Sequence, residues 1–236
     1  MDFKPAAVIF GVGPLDGIGG AMVRKVAAEG MPVYAAGRNQ EKLQTVEDAV
    51  ASVVPIVTDV TSQADVKRVF DRVAADNCRP DLVVFNVGGN WPMPFLEITP
   101  DFFEAMWRQG PLGALLVGQE AVTRGAGTVI FTGASASLRG KPLFAAFASA
   151  KAGLRAVAQS MAREFGPQGI HVAHVVIDGA VNGERVRSLL PGYLEAKGED
   201  SGLSPTAIAE TYWQLYKQPR SAWTHELELR PYAETW

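Results

Sequence analysis

The sequence predicts an α/β fold: a single domain over residues 1–236 in which a doubly wound parallel sheet carries helices on both faces. Three observations predict it. Short apolar runs such as Ala6–Phe10, Val53–Val57 and Leu82–Phe85 lack the alternation of a half-solvated strand, as strands buried on both faces do. Longer segments of helical pattern separate them, which is the sequence of right-handed strand–helix–strand crossovers. Finally, 236 residues that are 47% hydrophobic and 20% charged suit one sizeable core, and no repeat, low-complexity tract or linker interrupts them.

The elements follow in order. Ala6–Phe10 is an apolar strand and Ile18–Glu29 the helix after it; Pro32–Ala36 and Gln40–Val50 form the next such pair, and Val53–Val57 with Gln63–Ala75 the third. Leu82–Phe85 is a strand ending at Asn86-Val87-Gly88-Gly89, and a helix lies between Pro100 and Val122. Gly127–Phe131 is a strand, Leu143–Phe165 a long helix and Ile170–Ile177 a strand. A less regular segment runs from Gly179 to Leu203, before a helix over Pro205–Lys217 and a short strand over His225–Leu229. The long helix is apolar on more than one face, through Leu154, Val157, Met161 and Phe165 but also Phe144, Phe147 and Ala148. One face packs on the sheet, and the other is a candidate for a second subunit, as is the aromatic tail of Trp223 and Pro231–Trp236.

Charge and composition exclude several classes. Twenty-two basic residues stand against 25 acidic ones, a net charge of -3 without blocks of one sign, so nucleic acid and membrane surfaces are not expected partners. No apolar stretch reaches membrane-spanning length, and the start, Met1 to Pro5, has no signal-peptide pattern, so the expected location is the cytoplasm. The one cysteine, Cys78, fits a reducing compartment and reads as an ordinary loop thiol before a strand. His171 and His174 are three apart on a strand and face opposite sides, so no metal site is expected. Gly133-Ala134-Ser135-Ala136-Ser137 is only loosely a nucleophile elbow, without its last glycine or an identifiable histidine partner.

The chemistry begins after the first strand. Gly11-Val12-Gly13-Pro14-Leu15-Asp16-Gly17-Ile18-Gly19-Gly20 joins it to the first helix. Glycines there permit a tight turn with positive φ, close approach of a pyrophosphate, and helix amides aimed at it. The loop therefore reads as a Rossmann dinucleotide site built from Gly13, Gly17, Ile18 and Gly19. The second strand ends in Ala36-Gly37-Arg38-Asn39, with no carboxylate to accept the ribose hydroxyls. Arg38 suits a 2′-phosphate, so NADP(H) is favoured over NAD(H); the alternative is an arginine that only caps or solvates the second helix.

The G-x-x-x-G-x-G spacing of Gly13, Gly17 and Gly19, together with Asp59-Val60 and Asn86-Val87-Gly88-Gly89, resembles the short-chain dehydrogenase/reductase (SDR) family over nearly the whole chain. The resemblance implies that Asp59 and Val60 lie at the adenine, that Asn86 and Gly88 support the sheet and line the ribose region, and that Gly179 and Val181 lie in a loop facing the nicotinamide. It also implies a serine, a tyrosine and a lysine for proton transfer, with an asparagine one helix earlier. Lys151 matches the lysine, but the tyrosine position is Phe147, the serine position is Ala134 with Ser135 adjacent, and the asparagine position is Gly110.

Phenylalanine donates no proton, and loss of a general acid costs about 10²–10⁴-fold in rate. Three substitutes stay open: Ser135 or Ser137 as a hydrogen-bond donor, bound water, or Asp178 with a pKa raised beside an apolar pocket. The other reading of Asp178 is a turn-forming or helix-capping aspartate. Trp91 to Phe95 form either an apolar substrate wall or loop packing, and residues 183–203, with Tyr193, resemble a substrate lid. The expectation is an NADP(H)-dependent oxidoreductase with an atypical centre of Lys151, Ser135 and Phe147, acting by hydride transfer on a small apolar substrate and forming a dimer or tetramer. The alternative is a non-catalytic NADP(H)-binding sensor or interaction protein. A filled space beside the nicotinamide site would favour the sensor, and an open apolar cleft with a polar group near Ser135 or Asp178 the enzyme.

Overall fold

The alternating apolar runs form seven parallel strands in one sheet of order β3-β2-β1-β4-β5-β6-β7. The computed structural model describes residues 3–234. The strands are β1 (Lys4–Phe10), β2 (Val33–Gly37), β3 (Val53–Val57), β4 (Cys78–Phe85), β5 (Thr128–Thr132), β6 (His171–Ile177) and β7 (Glu226–Leu229). Side chains alternate across the sheet and build a core on each face. Ala7 and Ile9 pack with α1 (Ile18–Ala28), α2 (Gln40–Ala49) and α9 (Pro205–Tyr216). Ala6, Val8 and Phe10 pack with α3 (Gln63–Ala75), α5 (Gly113–Thr123) and α6 (Ala145–Phe165). This is the doubly wound arrangement the sequence predicts, and it leaves the strands' carboxyl ends open for a ligand.

Local chemistry sets the helix starts. Asn39, Ser62, Thr99 and Ser204 accept a backbone N–H at the starts of α2, α3, α4 (Pro100–Trp107) and α9, two of these helices having proline at the first position. The first of those caps belongs to Asn39, so Arg38 is not needed for it.

Four expectations change. The helix expected between Pro100 and Val122 is two helices, α4 and α5, joined by a π-helical turn over Arg108–Leu112; Pro111 lacks the N–H that a continuous helix requires there. Strand β4 starts at Cys78 rather than Leu82, because a register shift opposite Ala6/Ala7 absorbs Asp81 after Pro80. Cys78 is therefore a buried strand residue, not a loop thiol. The second apolar face of α6, with Phe144 and Phe147, is covered within the chain by Phe102 and Met106 of α4, so it is not left for a partner.

The irregular segment holds two short helices, α7 (Glu184–Leu189) and α8 (Tyr193–Lys197). In the tail, Trp223 stacks on His171 with ring centroids 4.9 Å apart, Tyr232 is exposed, and Trp236 lies outside the described residues. No helix among the described residues is long and apolar enough to cross a membrane.

Candidate active site

Lys151, Ser135, Phe147, Asp178 and every residue expected at the cofactor line one cleft of about 880 Å³ at the carboxyl ends of the strands; Ser137 and Gly110 lie outside its lining. The glycine loop forms one wall. Its only positive φ is at Gly11 (84°), where a Cβ would collide with the backbone of Asn86; Gly13, Gly17 and Gly19 do not need positive φ, contrary to the expectation. Gly19 is needed for packing, since a Cβ there would lie 2.8 Å from the Gly11 carbonyl oxygen. A Cβ on Gly13 would meet no protein atom within 4 Å, so it would only narrow the space facing the cleft. Gly17 opens α1 without a side-chain cap, so the first amides of that helix have no side-chain acceptor. The loop fits a pyrophosphate on these grounds. Asn86 Nδ2 donates to the Gly11 carbonyl at 3.2 Å and ties the loop to β4.

Arg38 is exposed directly after β2 and makes no ion pair among the described residues. Asp59 Oδ1 accepts from the amide and hydroxyl of Thr61, each at 2.9 Å, which fixes the turn after β3 beside Val60. Gly179 has a φ of 147°, and a Cβ there would approach Pro231 to 2.7 Å. Val181 is held by a bridge to Leu203.

Lys151 is not an exposed helix lysine. Its Nζ donates to the carbonyls of Thr132 at 2.8 Å and Val87 at 3.3 Å, and burial lowers its pKa to about 8. Phe147 lies one turn earlier on α6, buried, edge-on to Phe144 with centroids 6.5 Å apart and its ring 6.0 Å from Lys151 Nζ. Ser137 is buried, and its hydroxyl accepts the Ala134 amide at 3.1 Å, so that oxygen is occupied. The Ser135 hydroxyl lines the cleft with no hydrogen-bond partner among the described residues. Gly110 packs on α6, where a Cβ would come within 3.3 Å of Ala150.

Asp178 departs from both of its readings. It is 2% exposed and caught between two guanidinium groups, Arg230 in close contact and Arg139 at 3.4 Å. It neither caps a helix nor stands alone in an apolar pocket. Trp91 to Phe95 form no cleft wall: Trp91 carries Arg185 on its ring, and Phe95 is 75% exposed.

Sequence reasoning missed Gln109, Arg139, Lys141 and Arg185, all of which line the cleft. The π-helical turn that presents Gln109 could have been suspected from Gly110-Pro111; the arginines left no signal. Among the described residues no three His, Cys, Asp or Glu side chains gather as a metal site.

This geometry can be set against known proteins. The family model described as short chain dehydrogenase matches residues 6–191. The chain belongs to the short-chain dehydrogenase family. A short-chain dehydrogenase from Rhodopseudomonas palustris is 40% identical, with 97% of this chain and 99% of that one covered and a TM-score of 0.80. Oxidoreductase asL5 from Sarocladium schorii is 30% identical over 168 residues, 68% of this chain and 66% of that one. An alcohol dehydrogenase from Thermococcus sibiricus, solved with 5-hydroxy-NADP, shares the fold with a TM-score of 0.83 at 22% identity over 98% of this chain and 99% of that one. The family resemblance read from the glycine spacing and the doubly wound fold read from the alternating apolar runs are thereby borne out, and fold and family are those of an SDR-type oxidoreductase.

Proposed function

We propose that the chain is an NADP(H)-dependent SDR-type oxidoreductase whose centre works without the tyrosine of its relatives. The observation that carries this reading is the gathering, in one open cleft, of an uncapped glycine-loop helix, an unpaired Arg38, a buried Lys151 and Phe147. The open cleft beside Ser135 and Asp178 argues against a filled, sensor-like site.

In this reading Gly13, Gly17, Ile18 and Gly19 hold the pyrophosphate, Arg38 the 2′-phosphate, and Asp59 with Val60 the adenine. Asn86 and Gly88 flank the ribose, Lys151 donates to the nicotinamide ribose, and Gly179 with Val181 back the nicotinamide. When bound, the nicotinamide supplies or accepts a hydride. The chain's own part is positional. Lys151 is held by two carbonyls, Phe144 and Phe147 give an apolar wall that excludes water, and Ser135 offers a hydroxyl to a substrate oxygen. A phenyl ring cannot protonate that oxygen, so the favoured substrate needs little acid catalysis: an iminium already carries its proton, and a conjugated alkene takes one from water.

The same reading makes residues 183–203 the substrate lid and the cytoplasm the location, and it makes the chain an oligomer. The exposed Phe103, Trp107 and Leu115 of α4 and α5 supply an apolar face for a second copy.

Titration calorimetry with NADPH and NADH tests the reading. NADPH is expected to bind at least about tenfold tighter than NADH, and Arg38→Asp to remove that preference. Binding of neither nucleotide would overturn it.

A further inference from the structure

The half of the cleft beyond β4 carries surplus positive charge. Arg139, Lys141, Lys151 and Arg185 line it against Asp178, Glu184 and Glu234. All three carboxylates are engaged within the chain, Asp178 with Arg230 and Arg139, Glu184 with Lys42 at 3.0 Å, and Glu234 with Lys197 at 3.4 Å. Lys141 and Arg185 have no carboxylate partner among the described residues.

Two of these cations are pinned rather than free. Arg185 sits over the Trp91 ring, 4.6 Å from its centroid, and its Nη2 donates to the Asn90 carbonyl at 3.3 Å. Neither contact neutralises it, and partial desolvation lowers its pKa from the ordinary arginine value. Arg139 follows the Ser135 turn, its amide donating to the Ser135 carbonyl at 3.1 Å. Its guanidinium touches Asp178 only at 3.4 and 3.5 Å, because Arg230 takes that carboxylate more closely. Arginines held in place without full neutralisation are preorganised for an oxyanion, since little side-chain entropy remains to be lost when one binds.

We propose that the substrate carries a carboxylate, received by Arg139 and Arg185 with Lys141 nearby, while its uncharged part lies against Phe144 and Phe147. This rests on the reading of the cleft as an oxidoreductase site. It refines the apolar substrate expected from the sequence into an apolar body with one negative end.

The test compares benzoate with benzamide, equal in shape and different in charge. Each is titrated calorimetrically into the full chain with and without saturating NADPH. Benzoate is expected to bind about 10- to 100-fold tighter than benzamide, and Arg139→Met and Arg185→Met each to erase most of that preference without weakening benzamide. Arg185 lies on exposed α7, so its replacement leaves both cores intact. Equal affinities, or no benzoate binding in either arm, would overturn the proposal. So would an Arg185→Met variant that weakens NADPH but keeps the benzoate preference, because the arginine would then serve a cofactor phosphate. Failure of the cofactor reading shows separately, as absent NADPH binding, and the cofactor-free arm still decides the carboxylate.

Discussion

In the proposed reading, one hydroxyl group separates Phe147 from a proton donor. Phe147 is already oriented, with Lys151 Nζ 6.0 Å from its ring, so Phe147→Tyr adds a donor where a cation can lower its pKa. Steady-state kinetics should show NADPH-dependent reduction of a simple ketone rising by about 10²-fold or more. No change would mean that the other proposed losses, or a different chemistry, dominate. Asp178 offers a second prediction at this scale. Asp178→Ala leaves Arg139 and Arg230 without it, and urea unfolding should report a loss of about 2–3 kcal/mol, below the ~3–5 kcal/mol of a fully buried pair because Glu228 still lies 3.2 Å from Arg230. Arg38 was legible in the sequence from the end of a strand, and Lys151 from the resemblance to the family's pattern. The partners of Asp178 were not: Arg230 is 52 residues away, and Arg139 reaches it only after β5 and β6 have paired.

At the scale of elements, exposed polar contacts tie the segment with α7 and α8 to the glycine loop and α2. Arg187 pairs with Asp16, the Glu184 amide donates to Asp16 at 3.1 Å, and Lys42 meets Glu184 at 3.0 Å. Exposed pairs of this kind contribute about 0–1 kcal/mol each, so the segment opens more easily than the sheet it covers. Arg187→Ala should raise hydrogen exchange over Glu184–Lys197 up to about fivefold and leave amides of β1, β4 and β5 unchanged. Unchanged exchange in that segment would show that its packing, not the pair, holds it. The sequence placed this segment but not its helices, because six and five residues are too short for an apolar period to register. The same limit hid the π-helical turn, whose cause, Pro111, was visible while its consequence depended on the packing of Gly110 against α6.

For the whole molecule, the far edge of the sheet is locked by a partly buried polar network that sets its response to acid. His174 on β6 is fully buried, its Nδ1 2.8 Å from Glu226 of β7, and Arg155 of α6 grips the same carboxylate at 2.6 and 2.7 Å. The other ring nitrogen of His174 has no partner among the described residues, so protonating it would bury an unsatisfied N–H. Burial accordingly takes the His174 pKa from 6.5 down to about 4, while Arg155 and His174 hold Glu226 at about 2. Between pH 4 and 6.5 the unfolded chain binds a proton on His174 that the native chain refuses, so stability rises with pH through that window and is lost as pH falls across it. The Glu226 contribution is present above pH 4.5 and is lost further down, toward pH 2. Urea unfolding at pH 7.5, 5.5 and 4.5 should therefore show a decline of about 1–3 kcal/mol, flattened in His174→Gln. An equally steep decline in that variant would move the acid sensitivity to other groups. The network also explains why β7, with only four residues at the sheet edge, stays paired: its ladder to β6 is reinforced from α6 by a bidentate arginine.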